Sequence, residues 1–200
     1  MEVTTDLIKA LREKTGAGMM DCKKALTEAN GDESKAIDFL RKKGLATATK
    51  RSHKTASQGA VASYIHMGGK VGVLLEVNCE TDFVAKTDGF QEFVREVAMH
   101  IAAANPTYLG RDQVPASVIE SEKDIYRKQM EGSGKPPQVI EKIVEGKLNK
   151  YFAEVCLLEQ PWIRDDKKTI DGLLKELIGK IGENTLIRRY ARFQLGETSK

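Results

Sequence analysis

The spacing of apolar residues changes along this sequence, and that change constrains the fold more than any other feature. In one stretch the apolar residues fall at every second position, which is the period of a β-strand: Val71, Val73, Leu75 and Val77. The preceding residues 60–67 lead into this stretch through Gly68-Gly69, a dipeptide that tolerates the positive φ angles of a tight hairpin turn. Segments before and after keep helical spacing. The sequence therefore predicts an α+β fold that contains an antiparallel hairpin.

Three short helices are predicted over the first 43 residues. Thr4 or Thr5 can cap the first helix, Gly16-Ala17-Gly18 forms a turn into the second, and Asn30-Gly31-Asp32 separates the second from the third. Residues 44–58 then lose the apolar period and become rich in Thr, Ser, Lys and Arg, as in a basic linker or a loosely held helix. We predict a three-helix domain over 1–44, a basic linker over 45–58 and an α+β core over 59–200.

The core contains further helices and a last strand. A helix from Asp88 ends before Asn105-Pro106, and two charged helices over about 117–131 and 138–155 form a helical hairpin around a Gly- and Pro-rich break. Another amphipathic helix spans 170–181, and residues 185–195 have the pattern of a strand. The prediction is a three-stranded antiparallel sheet packed against helices and a helical hairpin.

The sequence offers no convergent set of catalytic or metal-binding groups. None of the three histidines, His53, His66 and His100, is followed by a second ligand three or four positions further along the chain. The three cysteines are far apart and lie among apolar neighbours, which favours buried thiols in a reducing compartment. No apolar run approaches the length of a membrane span, and the first residues do not resemble a signal peptide. We therefore expect neither an enzyme nor a cofactor or metal site, and neither secretion nor membrane insertion.

Two features suit recognition of another protein instead. On the second helix Met20 points away from the apolar stripe and Met19 lies at its edge, where a methionine can contact a partner or cover a neighbouring helix. Phe83 lies between a strand end and a helix start, beside Asp82, where a polar connection is expected. Phe83 can enter a partner's pocket, or it can pack as a hydrophobic staple against the next helix.

Three stretches of the sequence resemble the elongation factor Ts family. They are residues 11–26 (LREKTGAGMMDCKKAL), residues 76–85 (EVNCETDFVA) and residues 180–184 (KIGEN) with the following Arg188-Arg189. The likeness extends over essentially the whole chain in the same order. It implies an N-terminal domain similar to a ubiquitin-associated module, tethered to an α+β core with an antiparallel sheet. The chain has one core subdomain and lacks the coiled-coil insertion of longer members, so it resembles the short form of the family. Some members of that form are dimers.

The resemblance also implies a function and a set of contact residues. The implied function is guanine-nucleotide exchange, in which the protein binds the GTPase elongation factor Tu and promotes release of its GDP. The implied location is the bacterial cytoplasm or a plastid stroma. Asp82 and Phe83, with Thr81 and Val84 beside them in the same motif, would wedge between helices near the nucleotide. A helix of the GTPase domain would be contacted by four further residues: Arg12, Met19, Met20 and Lys23. Two residues in a matching tip motif would also touch the GTPase: Ile181 and Gly182.

A second hypothesis from the residues is an RNA-binding protein of the translation apparatus. The block 41–70 contains no acidic residue and seven basic ones, and Arg188, Arg189 and Arg192 add positive charge near the end. The formal net charge is only +3, however, and aromatic residues that could stack on bases are few. We therefore expect elongation factor Tu as the partner and no direct nucleic-acid contact.

Overall fold

A computed structural model describes residues 3–197 and shows an α+β protein. Over these residues eight α-helices occur, together with five strands and two short 3-10 turns. The helices are α1 (Thr5–Thr15), α2 (Met19–Glu28), α3 (Glu33–Arg51), α4 (Asp82–Ala85), α5 (Asp88–Ala104), α6 (Ala116–Lys128), α7 (Pro137–Val155) and α8 (Ile170–Ile181). The strands are β1 (Gln58–Ile65), β2 (Val71–Cys79), β3 (Pro161–Trp162), β4 (Asp165–Thr169) and β5 (Thr185–Gln194).

The predicted three-stranded sheet is confirmed, with strand order β1-β2-β5. The predicted alternation is present on β2, where Val73, Leu75 and Val77 are buried and Leu74 is half exposed. One face of this strand therefore belongs to the core and the other meets solvent. The hairpin turn at Gly68 and Gly69 has the positive φ angles that its sequence requires.

The chain forms two compact units, of which the first comprises the chain up to Ala62, Leu75–Glu96 and Gly172–Tyr190. In this unit α1, α2 and α3 share a small apolar core built from Ile8, Leu11, Cys22, Ala25, Leu26, Ala29 and Ala36. The Thr4 hydroxyl accepts a hydrogen bond from the Leu7 N–H and caps α1, and Gly16 ends it in the left-handed conformation. The predicted turn between the first two helices is thus confirmed.

The third helix continues further than its apolar period suggested. It ends at Arg51, so the first half of the segment predicted as a basic linker is helical. Just before this segment α3 crosses α8 closely: a Cβ atom placed on Gly179 would lie 2.6 Å from the Gly44 Cα. The alternative of a helix in this segment is therefore correct up to Arg51, while the division of the chain into domains stays a prediction.

The second unit comprises Ser63–Leu74, Val97–Asp171 and the chain from Ala191 onward. Here α6 and α7 form the predicted helical hairpin, around a core of Val114, Leu148, Phe152 and Cys156. Arg111 forms an ion pair with Glu159 and stacks its guanidinium 4.4 Å from the centre of the Phe152 ring. The small hairpin of β3 and β4 was not predicted.

His100 is a buried polar residue of α5 in this second unit. Its Nε2 lies 2.9 Å from the Gln160 Oε1, and the Gln160 amide nitrogen donates to the Glu154 carbonyl at 2.6 Å. That second bond orients the Gln160 oxygen toward the ring, so His100 carries its proton on Nε2. Burial lowers the pKa of His100 below its ordinary value of 6.5, although the bond to Gln160 opposes this shift.

We expect the protein to lose stability as the pH falls below about 6.5, in part through His100. The unfolded chain takes up a proton there, while the folded chain keeps His100 neutral, so protonation favours unfolding. Thermal unfolding of the unaltered protein and of His100→Gln at pH 7.5 and pH 5.5 measures this contribution. We expect His100→Gln to be less stable than the unaltered protein at both pH values. Its melting temperature should fall less between pH 7.5 and pH 5.5 than that of the unaltered protein. Equal decreases would contradict the assignment.

Candidate functional site

The turn after β2 carries the most exposed part of the predicted site. Thr81 is the N-cap of the one-turn helix α4, and its hydroxyl accepts the Val84 N–H at 3.4 Å. Phe83, on α4, is 78% exposed. The hydrophobic-staple alternative is therefore wrong, because a staple side chain would be packed against the following helix. Val84 is half buried, so Asp82 and Phe83 are the outward-facing members of the motif.

This turn is held from two directions within the first unit. The Glu183 carboxylate accepts the Thr81 N–H at 3.0 Å and the Thr81 hydroxyl at 2.7 Å. The Cys79 thiol donates to the Thr81 carbonyl at 3.1 Å. Burial and the nearby Glu183 carboxylate raise the pKa of Cys79, so this cysteine stays a thiol and keeps its donor hydrogen. The backbone at Thr81 is thus held by contacts within the chain itself.

Asp82 already has a charged neighbour. The Lys86 ammonium lies 2.7 Å from its carboxylate, one helical turn further along, and lowers the pKa of Asp82. Both side chains are mostly exposed, so this ion pair adds little to stability. A cationic or hydrogen-bonding group of a partner could replace Lys86 at small cost.

The predicted tip residues Ile181 and Gly182 lie next to this turn in the hydrogen-bond network. Gly182 ends α8 with a φ angle of 73°, a conformation that glycine adopts without strain. The following Asn184 donates its N–H to the Glu80 carboxylate at 2.6 Å and its side-chain amide to the Lys54 carbonyl at 2.7 Å. Ile181 and Gly182 are half buried, so they offer less surface than Phe83.

The predicted methionine surface lies on α2 in the same unit. Met20 is 75% exposed and Met19 is 38% exposed, as their helical positions indicated. Arg12 on α1 and Lys23 on α2 are exposed as well. Cys22, by contrast, is buried in the three-helix core, as expected for a structural thiol. The four exposed residues combine adaptable apolar contact with positive charge.

Comparison with known proteins places this sequence in one family. A family model described as Elongation factor TS matches residues 3–197. The elongation factor Ts of Geobacter sulfurreducens is 58% identical over 197 residues, covering 98% of this chain and 91% of that protein. The elongation factor Ts of Syntrophus aciditrophicus is 57% identical over 200 residues, covering 100% of both. The chain belongs to the elongation factor Ts family. It is therefore a translation elongation factor.

In this elongation factor Ts family member, two residues of the basic block pair with carboxylates. Lys43 forms an ion pair with Asp21, and Arg51 contacts Glu80 at 3.4 Å. Near the end of the chain, Arg189 pairs with Glu76 at 2.7 Å. Part of the positive charge that suggested RNA binding is thus neutralised within the protein.

Across residues 3–197 there is no group of three or more His, Cys, Asp or Glu side chains suited to hold a metal ion. Within the same range, none of the helices combines the length and hydropathy that a membrane crossing needs.

Two acidic residues of this site, Glu80 and Glu183, were not predicted from the sequence. Both bind backbone groups across the junction between the Thr81 turn and the end of α8. Glu183 and Thr81 are 102 positions apart, and no local pattern indicates such a contact. The clue available in the sequence was position, since Glu80 lies within the stretch 76–85 and Glu183 within the stretch 180–184.

Proposed function

We propose that this chain is a guanine-nucleotide exchange factor that binds elongation factor Tu and promotes release of GDP during translation elongation. The observation that carries the proposal is the exposed Phe83 on a turn held from two directions. An aromatic side chain that is not packed in the core of its own protein can contribute a large binding free energy when a partner's pocket removes it from water. The names of the relatives support the proposal, since they are translation elongation factors called Ts.

The mechanism is differential binding and needs no covalent step in this chain. GDP is held in a GTPase chiefly through its phosphates and Mg²⁺. A factor that binds the nucleotide-free conformation more tightly must, by thermodynamic linkage, weaken GDP binding by the same factor. Each preference of about 1.4 kcal/mol loosens GDP about tenfold. On this proposal the protein is not an enzyme, needs no cofactor and acts in the cytoplasm.

The two contact surfaces have different roles in the proposed exchange reaction. Phe83 and Asp82 disturb the region around the nucleotide, as a rigid apolar wedge with a charged neighbour. The second surface adds binding energy through flexible methionines and two cations: Met19, Met20, Arg12 and Lys23. The surface that contributes affinity is therefore separate from the side chains that act near the nucleotide. Affinity and exchange can then be changed independently, which suits a factor that must dissociate after each exchange.

Release of a fluorescent GDP analogue tests the proposed function. Elongation factor Tu from Syntrophus aciditrophicus is loaded with the analogue, mixed with substoichiometric amounts of this chain and chased with excess unlabelled GDP. We expect release to become faster in proportion to the amount of chain added, with each molecule acting repeatedly. If release keeps its uncatalysed rate at saturating chain, the proposal is wrong.

The RNA-binding hypothesis makes a different prediction in a parallel measurement. Tight, salt-dependent retention of RNA, abolished by neutralising Lys50 and Lys54 together, would favour that hypothesis. We expect this double variant to bind RNA no differently from the unaltered chain and to keep its exchange activity. Its two lysines lie at the end of α3 and just beyond it, outside the proposed contact surfaces.

We also propose that the chain forms a homodimer, as some members that it resembles do. In the second unit a shallow apolar groove opens on the outer face of the sheet, lined in part by Ile65, Leu74, Phe193 and Leu195. All four side chains are exposed, and an apolar surface of this kind is costly to leave in water. A second copy offers the same apolar surface, and a self-complementary patch is what a two-fold interface requires.

Light scattering coupled to size-exclusion chromatography measures the oligomeric state. We expect a mass of about twice 22.2 kDa for the unaltered chain and of one chain for Phe193→Asp. Ile163→Asp is the control, because Ile163 is exposed but lies in the turn between β3 and β4. A monomeric unaltered protein would rule out the homodimer.

A further inference from the structure

Glu183 makes two hydrogen bonds to one residue of the proposed contact motif. One carboxylate oxygen accepts the Thr81 N–H at 3.0 Å and the other accepts the Thr81 hydroxyl at 2.7 Å. Bonds to an ionised acceptor are shorter and stronger than those between neutral groups. Both bonds lie in a partly buried place, where water competes less well for the carboxylate.

These bonds fix the direction in which the following helix starts. The Thr81 hydroxyl has one hydrogen, and Glu183 takes it, so a lone pair remains for the Val84 N–H at 3.4 Å. That second bond is the N-cap of α4. A helix of four residues has almost no stability of its own, because forming the first turn is the unfavourable step of helix formation. The conformation of α4 therefore depends on groups outside it.

We propose that Glu183 is a positioning residue for nucleotide exchange, which holds Thr81 so that α4 presents Phe83 and Asp82 to the GTPase in one orientation. The inference rests on the proposed function, and it assigns to Glu183 a role that acts through Thr81 and α4. Without Glu183, Phe83 is still present and still exposed, but it samples several orientations. Fixing the Phe83 side chain in one orientation on binding then costs conformational entropy, which weakens the affinity for the GTPase.

Three variants test the role of the carboxylate. Glu183→Ala removes both bonds, and Glu183→Gln keeps the shape but has one amide oxygen to accept hydrogen bonds. Glu76→Gln is the matched control, because it removes the same charge from a partly buried glutamate that pairs with Arg189 instead. We expect catalysed GDP release to slow by about tenfold or more in Glu183→Ala, less in Glu183→Gln, and not in Glu76→Gln.

A double-mutant cycle with Phe83→Ala separates positioning from general destabilisation. If Glu183 acts through the orientation of Phe83, adding Glu183→Ala to Phe83→Ala should change the release rate by less than about twofold. A purely structural role would instead give the full loss again in the double variant. This comparison holds even if Glu183→Ala melts at a lower temperature, because the same loss of stability is present in both backgrounds.

Amide hydrogen exchange gives a measurement that is independent of the GTPase. The Thr81 and Val84 amides should be protected in the unaltered chain and exchange faster in Glu183→Ala, while amides inside β2 stay protected. Unchanged protection at Thr81 would overturn the inference, as would full exchange activity in Glu183→Ala. An unaltered chain that does not accelerate GDP release would overturn the exchange function, and this inference with it.

Discussion

Phe83→Ala should slow catalysed GDP release by at least about tenfold, because an aromatic anchor at an interface commonly contributes about 2 kcal/mol or more. The same change should leave the melting temperature within about 2 °C of the original, since a side chain that is mostly in solvent contributes little to folding. A nucleotide-release assay and a thermal melt of the same preparation measure both effects. The combination distinguishes an interface residue from a core residue.

Ile125→Ala is a suitable control for this prediction. Ile125 is a large apolar side chain on α6, 44% exposed, and lies outside both proposed contact surfaces. Its removal should change neither the release rate nor the melting temperature appreciably. If Phe83→Ala lost several degrees of stability and kept its exchange activity, Phe83 would be a structural residue, and the interface role would be wrong.

The sequence predicted the fold where its signals are local. The two-residue period of β2, the Gly68-Gly69 turn and the helical spacing of α8 each depend on residues within a few positions of one another. The exposure of Met20 followed from the same helical geometry. These features could be predicted because period and turn chemistry act over short distances along the chain.

What the sequence did not predict depends on contacts between distant segments. Glu183 and Thr81 meet across 102 positions, and nothing in either segment indicates the other. The short strands β3 and β4 have no clear alternation, since they span two and five residues. The loss of the apolar period over residues 44–58 left a linker and a loosely held helix as alternatives, yet α3 continues to Arg51 and packs closely against α8 at Gly44. Tertiary contact there overrides a weak local preference.

Two glycines mark the place where α3 and α8 cross. Glycine in the interior of a helix costs about 1 kcal/mol relative to alanine, so two of them facing each other suggest a close approach of backbones. The crossing is asymmetric. A Cβ atom on Gly179 would lie 2.6 Å from the Gly44 Cα, whereas a Cβ atom on Gly44 would lie 3.6 Å from the Gly179 Cα, an ordinary contact distance.

Gly179→Ala should therefore lower the free energy of unfolding by about 1–3 kcal/mol, because the added methyl group meets backbone and the helices must move apart. For a chain of this size each kcal/mol corresponds to roughly 2–4 °C in melting temperature. Since α3 packs against α2, the helix that carries Met19 and Met20, the variant should also bind elongation factor Tu more weakly. Thermal unfolding and titration of the nucleotide-free GTPase measure the two effects.

Gly44→Ala should have the opposite sign, which makes it the decisive control. Its methyl group fits at van der Waals distance, and alanine favours a helix over glycine by about 1 kcal/mol, so stability should be unchanged or higher. Helix propensity alone predicts that both variants gain stability, because both positions lie within helices. Only a close crossing predicts opposite effects. A stabilised Gly179→Ala would show that α3 and α8 are not held together at this point.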